Sequence, residues 1–326
     1  MRQIFEYHPV IGYRYIPNIK ARIPHENGGY LIKVNETGFR ANIPFIMNKT
    51  PSKLRILLFG DSYTAGDSVP NHLRYSDILE TKLRNVEVYN YGLPSTGTDQ
   101  QYLVWQEFAR GVEHDLVIIA VYVENIRRIV ARCRPRRDEL GRERIYAKPF
   151  FLLNQGKLLL QQVPPSPEPL DEHQMYTSYQ RKSNKRDWFS SLRYAAISIG
   201  AKSIVQNMYQ PVPEYDSIDS PAWMLMRAIL SQWVSEINKP VVIMPIPIDL
   251  HIDELSSAIP YQSRFKELSD DIGCVIHDPL KDMQKYSLKE RRLFRWDKDF
   301  HFTPKGNEVV ASSLAPVVEH LLTGKC

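Results

Sequence analysis

Cysteine is scarce in this chain. There are three in 326 residues, Cys133, Cys274 and Cys326, with no Cys-x-x-Cys spacing. That excludes a disulfide framework and a cysteine zinc site as organising features. Long apolar runs are missing too. No stretch approaches the roughly eighteen residues a membrane-spanning helix needs. The N-terminal MRQIFEYHPVIGYRYIPN lacks the apolar core of a secretory signal, so the expected location is cytoplasmic, with no membrane segment. A dominant charge of one sign is also absent: 42 Lys and Arg stand against 37 Asp and Glu, a net +5. That balance is too mild to call for nucleic acid as a partner. No Gly-Lys-Ser/Thr phosphate loop is present. There is no internal repeat and no low-complexity tract beyond short proline runs. Nothing in the sequence calls for a cofactor or a metal.

What is present is an ordinary globular composition, 43% apolar and 24% charged, enough for one large α/β domain with additions. Residues 1–50 are rich in Tyr, Pro, Asn and Gly. They read as a small β-rich extension, with Tyr30 to Val34 a strand and Glu26 to Gly29 a turn before it. Residues 51–326 form the main domain. Its first strand is Leu54 to Phe59, followed by a helix over Ser76 to Asn85 and a second strand, Val86 to Gly92. A helix over Thr98 to Gly111 leads to a near-continuous apolar strand, Asp115 to Asn125. This alternation predicts a doubly wound α/β fold with a parallel sheet. The pattern lapses over about 127–217, read as an insertion. It holds an arginine-rich stretch, a hairpin over Phe150 to Val163 turning at Asn154-Gln155-Gly156, a proline-rich connector, and a helix around Asp187 to Ile204. The α/β pattern then resumes with a helix (Ser220 to Ile237), a strand (Pro240 to Pro247), a helix (Tyr261 to Asp270), a short strand (Cys274 to Asp278) and a last helix opened by Thr303-Pro304.

Chemistry is expected where parallel strands end. The first strand runs straight into Gly60-Asp61-Ser62, putting Ser62 at the mouth of the sheet on a turn that starts a helix. Its position fits a nucleophile, and its own amide fits one oxyanion donor, although Gly-Asp-Ser alone also reads as a turn with a helix cap. The G-x-S-x-G elbow of the other common serine-hydrolase fold is not met, since Thr64 follows Tyr63. A serine nucleophile needs a base and an orienting acid. Of nine histidines, His301 lies in a late loop two residues after Asp299. His277-Asp278 is a rival pair, but Asp278 before Pro279 reads better as a helix cap. Gly92 and Asn125 end the second and third strands on the same edge, and are candidate oxyanion donors. Arg127 and Arg128, with the arginines at 132, 134, 136, 137, 142 and 144, directly follow Asn125. They read either as attractors of an anionic substrate or as a solvated face balanced by Asp138, Glu139 and Glu143.

Four blocks in order carry a resemblance to a known family: ILLFGDSYTAGDSVP (Ile56 to Pro70), VEVYNYGLPSTGTDQQ (Val86 to Gln101), VIIAVYVENI (Val117 to Ile126) and DFHFTPKGNEVVA (Asp299 to Ala311). Together they resemble the SGNH, or GDSL-type, hydrolases over roughly residues 54–125 and 220–322. GYRYIPN…NETGFR (Gly12 to Arg40) is similar to an extension that some bacterial members carry. The resemblance implies a flavodoxin-like α/β/α sandwich. It also implies a serine esterase in which Ser62 is the nucleophile, His301 the base and Asp299 the acid. Ser62, Gly92 and Asn125 would form the oxyanion hole. The implied substrate is an O-acyl ester, O-acetyl on a carbohydrate. Acyl transfer to a sugar hydroxyl is the alternative, and a silent glycan-binding protein a third reading. Two positions depart from the family pattern. Lys298 stands where Asp-x-x-His members carry the acid, leaving Asp299, and Ile126 replaces the acidic residue that often follows the asparagine.

Overall fold

The computed structural model describes residues 3–138, 140–171, 206 and 209–324. Two hairpins open the chain. β1 (Phe5–His8) pairs antiparallel with β2 (Gly12–Tyr15), and β3 (Lys20–Ile23) with β4 (Tyr30–Lys33). After them Asn35 Oδ1 accepts the amides of Thr37 and Phe39 at 3.2 and 3.0 Å, folding the Asn35–Arg40 turn. Gly38 at φ 85 is required there, because a Cβ would collide with the Tyr15 carbonyl. The turn drives Phe39 into the core and delivers Arg40, fully buried, to the carbonyls of Gly66 and Val69, each at 2.7 Å. Ile11, Tyr13 and Phe39 belong to the same apolar core as the main sheet.

That sheet has five parallel strands: β5 (Leu54–Phe59), β6 (Val86–Asn90), β7 (Leu116–Tyr122), and, late in the chain, β12 (Val241–Ile246) and β13 (Val275–Ile276). Their order is β13-β12-β7-β5-β6. Ile56 to Phe59 and Leu116 to Val121 have no exposure. Such continuous apolar runs occur when helices cover both faces. The helices are α1 (Ser62–Ala65), α2 (Tyr75–Lys82), α3 (Thr98–Val104), α4 (Asn125–Ile129), α5 (Pro221–Ser235), α6 (Ile259–Ile272) and α7 (Pro304–Thr323); shorter turns are left unlabelled. The step from β5 to β6 runs one way along the sheet, and every later step runs the other. With right-handed crossovers, α2 therefore lies on one face and α3, α5 and α6 on the opposite face. Accordingly α7 packs on α2, while α5 packs on both α3 and α6. This is the doubly wound, flavodoxin-like order expected, with its switch point between β5 and β7.

Between β7 and β12 lie two small hairpins, β8 (Cys133–Arg137) with β9 (Glu143–Ala147), and β10 (Phe150–Asn154) with β11 (Lys157–Gln161). The second turns through Gln155 and Gly156, at φ 47 and 75, as its Asn-Gln-Gly sequence predicts. The first was not legible as strands. Its Arg136 stays beside aromatic rings, 4.1 Å from the Tyr146 ring centre and 5.0 Å from that of Tyr13, while Arg142 and Arg144 pair with Asp138. The helix expected around Asp187 to Ile204 lies outside the described residues. No helix among the described residues is long and apolar enough to cross a membrane.

The strand ends away from the site are tied by a charge. Arg55 on β5 is fully buried and donates to Glu87 Oε1 at 2.6 Å and to the carbonyls of Ile46, Met47, Asn48 and Glu113. Replacing it with Met leaves Glu87 buried and charged without its cation. We expect Arg55→Met to cost about 3–5 kcal/mol in urea unfolding. Adding Glu87→Leu should recover part of that loss, since it removes the stranded charge.

Candidate active site

Ser62 stands at the carboxyl end of β5, beside the switch point. Asp61 builds the turn that holds it. Its Oδ1 accepts the Tyr63 amide at 3.0 Å, and Gly66 closes the single turn of α1 at φ 76. The helix that the sequence places after this turn is a single turn, Ser62–Ala65. A loop then runs to α2. The Ser62 carbonyl accepts from the amides of Gly66 and Asp67, at 3.0 and 2.9 Å. The Ser62 backbone is fixed from behind by the same loop that Arg40 grips.

His301 reaches this serine from the far end of the chain. Its Nε2 lies 2.9 Å from Ser62 Oγ, the contact a general base requires. Phe300 adopts the left-handed conformation at φ 63, uncommon for a bulky residue, and this turns the Asp299-Phe300-His301 loop back on itself. Both Asp299 and His301 thereby face the same cleft, and the His301 amide donates to Asp299 Oδ1 at 3.0 Å. The second carboxylate oxygen is 3.5 Å from His301 Nδ1, a loose contact rather than a hydrogen bond in good geometry. That same oxygen accepts from the Ser68 hydroxyl and from His25 Nε2, the latter at 2.9 Å.

The electrostatics match an acid and base pair. Burial pushes Asp299 up, but the His301 ring and the Ser68 hydroxyl outweigh it and hold the carboxyl well below its ordinary range. Burial pulls His301 down, but Asp299 beside it, with the negative charges of Asp67 and Asp61, raises it above the ordinary histidine value.

Asn125 opens α4 at the end of β7. It is fully buried, and neither its amide nitrogen nor its oxygen has a hydrogen-bond partner among the described residues. Arg128, one turn further along α4, bonds Asp61 Oδ2 at 2.7 Å and the Thr96 carbonyl at 3.1 Å. This ion pair pins the start of α4 to the nucleophile turn. Arg127 is tied to Glu214 at 2.7 Å and to the Pro211 carbonyl. Both arginines, read from the sequence either as attractors of an anionic substrate or as a balanced face, make ion pairs here: Arg127 ties the chain ahead of α5, and Arg128 the turn at Asp61.

Gly92 also departs from expectation. Its amide donates to Asn90 Oδ1 at 2.8 Å, so it is not a free donor. The glycine is needed for packing, since a Cβ there would collide with the backbone of α1 at Ala65. Three residues on, Ser95 takes the left-handed conformation at φ 62, and its amide has no hydrogen bond among the described residues. Its loop is fixed on both sides: Leu93 donates to the Gly60 carbonyl at 3.0 Å, Tyr13 of the extension donates to the Pro94 carbonyl, and the Thr96 carbonyl accepts from Arg128. A positive φ at a serine was not readable from the sequence.

The rival pair is structural. Asp278 Oδ1 caps Leu280 at 2.9 Å and its other oxygen bonds Tyr261 at 2.8 Å, while His277 meets Ser313 at 2.9 Å. Ser68, six residues after the nucleophile, and His25, in the extension, were missed. Ser68 lies inside the first block of the resemblance, whereas nothing local marks His25.

No family model matches the sequence, and no curated protein matches it. The chain is similar to solved structures of GDSL-type lipolytic hydrolases and acetyl xylan esterases. One is a member of the lipolytic protein G-D-S-L family from Veillonella parvula, 14% identical at a TM-score of 0.44, covering 82% of this chain and 100% of the other. Another is a lipase/acylhydrolase from Enterococcus faecalis, 15% identical at a TM-score of 0.43, covering 84% and 99%. The acetyl xylan esterase AlAXEase is 17% identical at a TM-score of 0.44, covering 81% and 100%.

Proposed function

We propose that the protein is a serine esterase of the SGNH type. The observation that carries this reading is the 2.9 Å contact between His301 Nε2 and Ser62 Oγ at the carboxyl end of the parallel sheet. Ser62 Oγ attacks the ester carbonyl while His301 Nε2 takes its proton. The tetrahedral oxyanion collapses, His301 returns the proton to the leaving alcohol, and an acyl-Ser62 ester remains. Water, deprotonated by His301, then releases the acid and restores the serine. Asp299 orients His301 and stabilises its charged form. The oxyanion falls to the Ser62 amide and the Asn125 side chain, whose unpaired buried amide suits a donor awaiting an acceptor. With the Gly92 amide committed to Asn90, Ser95 takes its place as the donor from the loop after β6.

The acyl ester is an O-acetyl group on a carbohydrate, a reading that rests on the four sequence blocks. Hydrolysis of 4-nitrophenyl acetate by the wild type and by Ser62→Ala tests the reaction class. We expect turnover in the wild type and only background in the variant. Equal turnover in the two would overturn the assignment.

A further inference from the structure

The catalytic acid is not held by the catalytic loop alone. The turn between β3 and β4 is clamped to that loop at two adjacent points: His25 Nε2 meets Asp299 Oδ2 at 2.9 Å, and Glu26 Oε1 accepts the Lys298 amide at 3.1 Å. The His25 side chain is only 9% exposed. Its ring packs edge-on against Trp296 at 5.1 Å and Tyr30 at 6.1 Å.

The ring's other nitrogen is held too. His25 Nδ1 lies 2.9 Å from Asn27 Oδ1, which also accepts the Gly29 amide at 3.1 Å, and the Asn27 amide lies 3.5 Å from Nδ1. With Nε2 on the Asp299 carboxylate, the imidazole is fixed from both nitrogens. The charged and titratable groups around it are Asp299, Glu26 and Lys298 on the facing loops, Tyr30 on β4, and His301 beyond the carboxylate.

We propose that His25 is a positioning residue of the active site, an imidazole in the N-terminal extension that holds Asp299 toward His301. The Ser62–His301–Asp299 line then continues outward to His25, and the extension is part of the catalytic machinery. The role matters here because the Asp299–His301 contact is loose, so the carboxylate's aim depends on the groups that grip its far side. Ser68 supplies one grip and His25 the other.

This inference rests on the esterase reading, so it is tested beside Ser62→Ala. The variants are His25→Ala and His25→Gln, measured for 4-nitrophenyl acetate turnover from pH 5 to 9, for the rate of Ser62 labelling by a fluorophosphonate, and for melting temperature. We expect His25→Ala to lower kcat roughly 10-fold or more with KM little changed, and to slow labelling in parallel. Glutamine keeps an N–H donor that can reach the carboxylate. His25→Gln should therefore recover most of kcat. Wild-type kcat and pH profile in His25→Ala would overturn the proposal. So would a His25→Gln variant as slow as His25→Ala when both melt like the wild type. If Ser62→Ala retains wild-type turnover, the esterase reading itself falls; if only the His25 variants behave as wild type, that reading stands without this addition.

Discussion

Combining Ser62→Ala with His301→Ala should slow ester turnover no further than Ser62→Ala alone. Each single change should cost roughly 10⁴-fold or more in kcat, because the serine and the base act as one unit and either loss removes the whole nucleophilic path. The geometry makes the expectation specific. The 2.9 Å contact between Ser62 Oγ and His301 Nε2 is the only link between the two ends of the chain that the proton transfer uses. His301 without Ser62 has no hydroxyl to activate, and Ser62 without His301 has no base. Independent losses that multiply in the double variant would contradict a shared step. The proposed oxyanion donors make a different prediction for the residue. Asn125 makes no hydrogen bond to Ser62, His301 or Asp299, so its loss should compound with that of Ser62 only through whatever catalysis remains.

A second large effect is expected far from the serine. His251 is 2% exposed, and neither ring nitrogen has a hydrogen-bond partner among the described residues. Burial lowers its pKa to about 3 from 6.5. The unfolded chain therefore binds a proton that the folded chain refuses between those two values. Stability from this residue is complete above about pH 6.5 and is lost as pH falls toward 3, at about 1.4 kcal/mol per pH unit. Other groups titrate in the same window. Burial lowers His8, His114 and His277 too, while His301 is raised and acts with the opposite sign. The difference between wild type and His251→Leu isolates the single group. In urea unfolding, the variant should gain on the wild type by about 2 kcal/mol between pH 6.5 and pH 5. Parallel pH dependence in the two proteins would show that His251 is not held neutral.

The parts legible in the sequence are those where local pattern and chemistry coincide. Ile56 to Phe59 is apolar without a break and runs into Gly-Asp-Ser, so strand and turn could be read together. Asn125 was singled out because the third strand ends there, and His301 because an acid stands two residues before it. Gly92 misled, because a glycine after a strand looks like an exposed donor, whereas here its missing Cβ lets α1 approach and its amide is used by Asn90. For Arg127 and Arg128 the sequence left two readings open, because their partners, Glu214 and Asp61, lie across gaps of 87 and 67 residues. His25 meets Asp299 across 274 residues, and no periodicity or spacing encodes such a contact.

The most direct measurement is fluorophosphonate labelling of the folded protein, read by intact mass and by mapping the modified peptide. A nucleophile activated by His301 should take up one phosphonyl group, on the peptide carrying Ser62. Labelling should fade as pH falls below the raised His301 value and vanish in Ser62→Ala. No adduct in the wild type, or an equal adduct in Ser62→Ala, would contradict the assignment of Ser62 as the nucleophile.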